Sequence, residues 1–212
     1  MKLYLSSIGT PNTEAFLSLF PQNTSLSVAI IPTAWEAYSK ERSEPEIEKV
    51  QTTFTELGFA PTLIDLKTKT GDELKAELKK YSAAWVTGGN SFYLNYYVRK
   101  SGLHNFIEQL LNDGLVYGGE SAGAVLAGPT LHGVELLDDP KEAPGTVWEG
   151  LSLVDFGIVP HWGMDKYAKL LQQCKVEMEK HVSDIRTLTN EQALVISGEA
   201  ISLIEASLKD QK

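Results

Sequence analysis

Short apolar segments alternate along the first half of the chain with longer segments whose apolar residues recur every three or four positions. Residues 26–33 (LSVAIIPT) are nearly all apolar, which is typical of a strand buried on both faces. The following segment carries Val50, Phe54 and Leu57 at helical spacing and reaches Gly58, a residue suited to a helix C-cap. This alternation predicts an α/β fold with a mostly parallel central sheet and helices on both faces.

The same periodicity places the remaining elements along the chain. Further strands are predicted at 2–7, 60–66, 83–89 and 115–119, and further helices at 71–80 and 91–114, the latter broken near Ser101 and Gly102. After Gly128 the pattern changes, and residues 129–155 are rich in loop formers, with three prolines. A short strand at 156–163, a helix at 165–183 and a hairpin at 193–206 follow. No repeat or linker is evident, so we expect a single domain over 1–212.

Composition narrows the class of protein. The chain is 42% apolar and 22% charged, as soluble globular proteins are. Its 19 basic and 28 acidic residues give a net charge of −9, which disfavours nucleic acid or an anionic membrane as partner. The one cysteine, Cys174, lies in a helical pattern and is expected to be a buried, inert thiol. Because the N-terminal apolar segment is too short for a signal peptide, we expect a cytoplasmic protein.

A short motif after the strand predicted at 115–119 carries the first chemical signal. Gly119-Glu120-Ser121-Ala122-Gly123 matches the pattern G-x-S-x-G where a predicted strand meets a predicted helix. In such a nucleophile elbow, the serine takes an unfavourable backbone conformation that projects its Oγ above the sheet. Small residues are needed two positions away on either side because strand and helix approach closely. This context favours a nucleophilic Ser121 over a plain turn.

An elbow serine requires a general base. Of the four histidines, His161 follows Pro160 at the end of an apolar strand, where open parallel sheets place their ligands. The others have structural interpretations, as an exposed mid-helix residue (His104), a surface turn residue (His132) and a residue beside a helix C-terminal dipole (His181). His161 is therefore the predicted base.

The base in turn requires an orienting acid, expected in the loop between the serine and the histidine. Six acidic residues lie there: Glu135, Asp138, Asp139, Glu142, Glu149 and Asp155. Two of these, Asp138 and Asp139, are adjacent and precede Pro140, so one of them could serve only as a turn former. The residues alone leave the choice open.

Two segments can supply donors for the oxyanion that develops in acyl transfer. The backbone N–H of Ala122 begins the elbow helix and is one candidate. The segment VTGGN (86–90) ends a predicted strand and offers a second from Gly88, Gly89 or Asn90. Taken alone it could bind a phosphate, but it is too short for G-x-G-x-x-G and has no Walker lysine.

Three motifs in order, VTGGNSFYL, GGESAGAVLAGPT and GLSLVDFGIVPHW, resemble the dipeptidase E family of serine peptidases. The resemblance covers about residues 83–162 and implies a fold like that of the class I glutamine amidotransferases, with serine in place of their cysteine. It implies a triad of Ser121, His161 and Asp138, the last aligned through a short insertion. The family's oxyanion glycine corresponds to Gly88 or Gly89.

The sequence departs from the aspartyl dipeptidases of this family near the substrate. Glu120 stands where they carry tryptophan, and the stretch after His161 lacks their arginine. A fixed arginine fork is the usual partner of a substrate carboxylate, so peptides with an N-terminal aspartate are not expected to be preferred. Glu120 could instead attract a substrate's α-amino group, and with Asn90 it is a predicted substrate-binding residue.

These observations predict a serine-type peptidase that hydrolyses a peptide or amide bond of a small peptide. No cofactor or metal is expected, because histidine, cysteine and carboxylates do not occur together at ligand spacing. Two alternatives remain open: an esterase or other acyl hydrolase with the same triad, and a non-catalytic binding protein with a degenerate site.

Overall fold

A seven-stranded sheet forms the centre of the computed structural model, which describes residues 1–22 and 25–207. The strands in chain order are β1 (Lys2–Ser6), β2 (Ser27–Ile31), β3 (Ala60–Leu63), β4 (Ala83–Val86), β5 (Val116–Glu120), β6 (Gly157–Val159), β7 (Ile185–Thr187), β8 (Gln192–Ser197) and β9 (Ala200–Glu205). The large sheet has the order β3-β2-β4-β5-β1-β8-β9. Pairing is parallel from β3 to β1 and antiparallel where β8 meets β1 and β9. The predicted mostly parallel α/β sheet is confirmed.

Helices cover both faces of this sheet. They are α1 (Thr13–Leu17), α2 (Lys40–Glu56), α3 (Gly71–Leu78), α4 (Ser91–Lys100), α5 (Ile107–Asn112), α6 (Ala122–Ala127) and α7 (Ala168–Met178). One hydrophobic cluster takes Phe16 of α1 and Phe54 of α2 against Trp85 of the sheet. A larger cluster on the other face takes in buried residues of α3 to α7. The break predicted in 91–114 is confirmed, because Gly102 (φ 79°) separates α4 from α5.

Two elements were not predicted, α1 and β7. Strand β7 pairs with β6 in a separate parallel two-stranded sheet, which leaves β6 outside the main sheet. Strands β6 and β7 have only three residues each, too few for a hydrophobic period to show. In the described ranges, no helix combines the length and apolar character required to cross a membrane.

The parallel arrangement brings three strand ends to one edge. Ser6 of β1 lies beside Glu120 of β5, and Val86 of β4 lies beside Gly119. The chain that leaves each of these strands therefore enters the same region, where open α/β sheets bind ligands.

Candidate active site

The turn between β5 and α6 has the geometry of a nucleophile elbow. Ser121 is the N-cap of α6, with φ 49° and ψ −111°, a conformation that non-glycine residues rarely adopt. A Cβ atom added to Gly119 would lie 2.5 Å from the carbonyl oxygen of Gly123, and one added to Gly123 would lie 2.2 Å from that of Val86. The two glycines thus allow the close packing of strand and helix that the motif requires.

Ser121 and His161 come together although 40 residues separate them in the chain. The Oγ of Ser121 lies 2.9 Å from Nε2 of His161. His161 itself has a positive φ of 61° and lies two residues after the end of β6. This distance lets Ser121 donate its hydroxyl proton to the imidazole.

The other ring nitrogen of His161 contacts a residue that was not among the sequence candidates. Its Nδ1 lies 2.9 Å from Oδ1 of Asn190, which follows β7 in the loop that leads into β8. An amide oxygen accepts a hydrogen bond but carries no charge. Asn190 was missed because the search was confined to acids between the serine and the histidine. The segment before Asn190, IRTLT (185–189), is mostly polar and gave no signal of a strand end.

Asp138, the predicted orienting acid, makes different contacts. Its Oδ2 accepts hydrogen bonds from the backbone N–H of Ser91 (2.9 Å) and from its Oγ (2.6 Å) at the start of α4. Within the described part of the chain, the hydrogen-bond partner at His161 Nδ1 is Asn190 rather than Asp138. Of the other candidates, Asp139 is exposed and caps a 3₁₀ turn through Lys141 N–H, and Glu135 accepts from the N–H of Gly133.

Two of the predicted oxyanion residues, Ala122 and Gly88, have backbones beside the serine, although the Gly88 N–H also acts on the Glu120 carboxylate. Ala122 is the first residue of α6, and the first N–H groups of a helix have no partner within it. A Cβ atom added to Gly88 would lie 3.2 Å from Cβ of Ser121, so the backbone of Gly88 passes directly beside the nucleophile. Gly89 has φ 127°, and a Cβ atom there would lie 2.3 Å from the Ala34 carbonyl carbon. This turn therefore requires glycine.

The two predicted substrate-binding residues differ in their surroundings. Asn90 is 1% exposed, accepts from Tyr93 N–H as the N-cap of α4, and donates to the carbonyl of Asp139. Its amide therefore stabilises the fold around the site. Glu120 lines the cavity, and its Oε2 accepts a hydrogen bond of 2.6 Å from Gly9 N–H while Oε1 faces Nε1 of Trp85. Burial raises the pKa of Glu120, and these hydrogen bonds act in the opposite direction.

A cavity of about 500 Å³ opens beside the nucleophile, a volume suited to a small molecule or short peptide. Its wall includes the dyad Ser121 and His161 together with Asp138, and apolar side chains such as Val134 and Ile158. Cys174 lies in the same wall but is buried, and burial raises the pKa of its thiol to about 12. The expected burial of the thiol is confirmed, and a raised pKa disfavours thiolate, the reactive form.

The fold also brings a guanidinium group to the cavity. Arg42 of α2 lines it, and the guanidinium carbon lies 4.0 Å from the centre of the Tyr38 ring. The sequence left open whether folding brings Arg42 or Arg99 to the cleft, and the structure places Arg42 in the cavity wall. That peptides with an N-terminal aspartate are not preferred stays a prediction.

Two consecutive residues at the end of β1 hold the backbones of both dyad members. The carbonyl of Ser6 accepts from Ser121 N–H at 3.0 Å. The hydroxyl of Ser7, 1% exposed, accepts from His161 N–H at 3.0 Å and donates to the carbonyl of Leu188 at 2.9 Å. Leu188 lies two residues before Asn190, so Ser7 joins the base to the loop that orients it.

The remaining histidines lie away from this dyad. His132, predicted to be exposed in a turn, is half-buried and stacks between Trp148 (ring centroids 4.4 Å apart) and His181 (3.7 Å). His104 is half-buried, and its Nδ1 lies 3.4 Å from the carbonyl of Val98. Among the described residues, histidine, cysteine and carboxylates form no group that could hold a metal ion.

Comparisons with known proteins give matches over most of the chain. The model of peptidase family S51 matches residues 5–204. An uncharacterized peptidase of Listeria innocua is 30% identical over 176 residues, which cover 82% of each chain. A peptidase E of Streptomyces coelicolor is 39% identical over 92 residues, 43% of this chain and 36% of that one. A crystal structure of a peptidase E-like protein from Listeria monocytogenes has a TM-score of 0.83 at 25% identity, covering 97% of this chain and 98% of the other.

Proposed function

The chain belongs to peptidase family S51 and is a serine peptidase, and from this premise we propose that Ser121 and His161 hydrolyse the peptide bonds of small peptides. The observation that carries the proposal is the 2.9 Å approach of Ser121 Oγ to His161 Nε2 at an elbow with positive φ. A serine fixed in that conformation beside a histidine has the arrangement of an activated nucleophile.

In the first half of the reaction, Ser121 Oγ attacks the carbonyl carbon and its proton passes to Nε2 of His161. The negative charge that develops on the carbonyl oxygen is stabilised by the backbone N–H of Ala122 and an N–H at Gly88 or Gly89. When the C–N bond breaks, His161 returns the proton to the leaving amine. An acyl group then remains on Ser121.

In the second half, water attacks the acyl carbon and His161 takes its proton. The C–O bond to Ser121 breaks, the proton returns to Oγ, and the free acid leaves. No step requires a group other than the dyad, the backbone donors and water.

Asn190 orients the base in this proposal. When its Oδ1 accepts the Nδ1–H of His161, the neutral imidazole has its lone pair on Nε2, directed at Ser121. Asp138 therefore does not act as the orienting group, in contrast to the triad implied by resemblance. Because an amide cannot stabilise the imidazolium as a carboxylate does, we expect this dyad to be slower than a triad with an acid.

Replacing the nucleophile provides the direct test. Ser121→Ala is expected to lower the release of leucine from Ala-Leu by about 10⁵-fold or more, with an unchanged circular dichroism spectrum. The matched control is Ser152→Ala, because Ser152 is another serine with positive φ (51°) outside the cavity and its variant should retain activity.

Two results would contradict the proposal. One is a Ser121→Ala variant that cleaves peptides at nearly the wild-type rate. The other is a wild-type protein that hydrolyses p-nitrophenyl acetate but no dipeptide in a mixed dipeptide library, which would identify an acyl hydrolase instead.

A further inference from the structure

His132 and His181 form a stack of rings that the proposed mechanism does not use. The two imidazoles lie face to face, with their centroids 3.7 Å apart and an angle of 7° between the planes. The other face of His132 stacks on the indole of Trp148, with centroids 4.4 Å apart and an angle of 3°. Because histidine changes its charge between about pH 5 and 8, the energy of such a stack depends on pH.

The stack joins two parts of the wall of the catalytic cavity. His132 precedes the turn that carries Val134 to the cavity, and His181 follows α7, which carries Cys174 to it. The backbones of these two segments also touch, because a Cβ atom added to Gly133 would lie 2.4 Å from the carbonyl oxygen of Cys174. The stacked imidazoles therefore fasten one wall segment to the other.

Charged side chains come from each segment packed at the stack: Glu177 and Lys180 from α7 and its end, Glu135 from the turn after His132, and Glu149 from beside Trp148. Oε1 of Glu177 lies 4.0 Å from Nε2 of His181, and its other oxygen pairs with Lys180. The hydrogen bond from Lys180 and, less strongly, the charges of the two histidines lower the pKa of Glu177. Glu177 thus stays ionised while the imidazoles titrate.

The first proton on the stack is stabilised and the second is not. Trp148 attracts a charge on His132 through its ring face, and Glu177 attracts a charge on His181. A second proton places two like charges on rings 3.7 Å apart, and their repulsion disfavours it.

Unfolding separates the rings, and both then take up protons near about pH 6.5. The folded chain binds the second proton more weakly than the unfolded chain does. The stability that the stack contributes is therefore present above about pH 6.5 and is lost as the pH falls below it.

We propose that the His132–His181 stack is an acid-sensitive clasp, which holds the cavity wall around Val134 against α7 while at most one imidazole is charged and releases it when both are. Release alters the apolar wall of the cavity and weakens substrate binding. The inference rests on the proposed peptidase activity and adds a regulation of the same site by pH.

The first test measures the coupling of the two imidazoles without using catalysis. NMR titration of the histidine ring protons between about pH 8.5 and 4.5 should show His132 and His181 taking up their protons in two steps, separated by more than about one pH unit. His181→Phe keeps an aromatic ring in the stack but removes one titratable group, so His132 should then titrate in a single step. A single step shared by both histidines in the wild type would overturn the proposal.

The second test measures stability and activity against pH in the same two proteins. Between about pH 8 and pH 5, the wild type should lose about 3 °C more of its Tm than His181→Phe loses. The ratio of kcat/KM for Ala-Leu, His181→Phe over wild type, should be within about twofold of one at about pH 8. At about pH 5.5 it should rise to roughly fivefold, mainly through KM. Protonation of His161 lowers activity in both proteins and cancels in this ratio.

His104→Phe is the matched control, because His104 is a half-buried histidine whose ring lies against the carbonyl of Val98, away from the stack. Its variant should keep the pH dependence of the wild type in both Tm and kcat/KM. A ratio for His181→Phe that stays constant with pH, despite two separate NMR steps, would overturn the proposal in favour of a stack with no influence on the cavity. No cleavage of any peptide by the wild type at any pH would instead contradict the proposed function, and with it the link to catalysis.

Discussion

Ser121 and His161 lie in contact, but they are held by different kinds of structure. Ser121 lies between a buried parallel strand and a buried helix, and the packing around Gly119 and Gly123 leaves no room for a side chain. His161 follows a three-residue strand outside the main sheet, and single hydrogen bonds that it donates to Ser7 and Asn190 fix it. Ser121 donates one backbone hydrogen bond to Ser6 but is positioned mainly by packing, whereas His161 is positioned mainly by polar contacts.

This difference predicts how mutations near each residue affect stability and activity. Packing against backbone atoms cannot relax easily, so a change at the elbow should affect folding and activity together. A hydrogen bond can be removed while the surrounding chain stays folded, so a change near the base should lower the rate more than the stability. The three experiments below test this contrast, from the largest expected effect to the smallest.

Gly123→Ala should have the largest effect, because its Cβ would lie 2.2 Å from the carbonyl oxygen of Val86. Overpacking of this kind costs about 3 kcal/mol, which lowers Tm by roughly 6–12 °C in a chain of this size. Activity should be lost with stability, since Ser121 moves with the helix. Differential scanning calorimetry and leucine release from Ala-Leu measure the two effects.

Gly145→Ala is the control for this change. A Cβ atom there would meet only the Tyr96 ring, at 3.3 Å, and Gly145 has a negative φ. If Gly123→Ala were as stable and active as Gly145→Ala, packing would not be what positions the nucleophile.

Asn190→Ala should lower kcat by about 100-fold with little change in Tm, because the imidazole loses the partner at Nδ1 that fixes its tautomer. Asn190→Asp should restore activity and raise kcat above wild type, since a carboxylate stabilises the imidazolium. Steady-state kinetics of leucine release from Ala-Leu measure this effect. A greater loss of kcat on that substrate from Asp138→Asn than from Asn190→Ala would show that the aspartate is the orienting residue.

Ser7→Ala should have the smallest effect of the three, a fall in kcat of roughly tenfold with KM within twofold of wild type. It leaves the N–H of His161 and the carbonyl of Leu188 without their hydroxyl partner. Ser101→Ala is the control, because Ser101 is equally buried and its hydroxyl also bonds a carbonyl, that of Val98. Equal kcat in both variants would show that Ser7 only stabilises the fold.

The elbow half of the site could be predicted from the sequence because its signals are local. Gly119, Ser121 and Gly123 lie within five consecutive positions between two elements with clear hydrophobic patterns. His161 could be predicted for a similar reason, since it follows an apolar stretch.

The partner of the base could not be predicted in this way. Asn190 is 29 residues from His161, and the contact depends on how the short strands β6 and β7 pair outside the main sheet. Arg42 reached the cavity through the packing of a whole helix, which no local pattern encodes. Contacts of this kind depend on tertiary structure, so residue type and spacing do not reveal them.

The positive φ angles of Ser121 and His161 set a limit on protein engineering. Each such conformation costs on the order of 1–3 kcal/mol for a residue with a side chain, whereas glycine adopts it without strain. Selection of a mutant library for heat resistance alone would therefore favour glycine at both positions and enrich inert proteins. Gains in thermal tolerance that preserve hydrolysis must come from elsewhere, such as the exposed apolar side chains Ile201 and Leu203 on the edge strand β9.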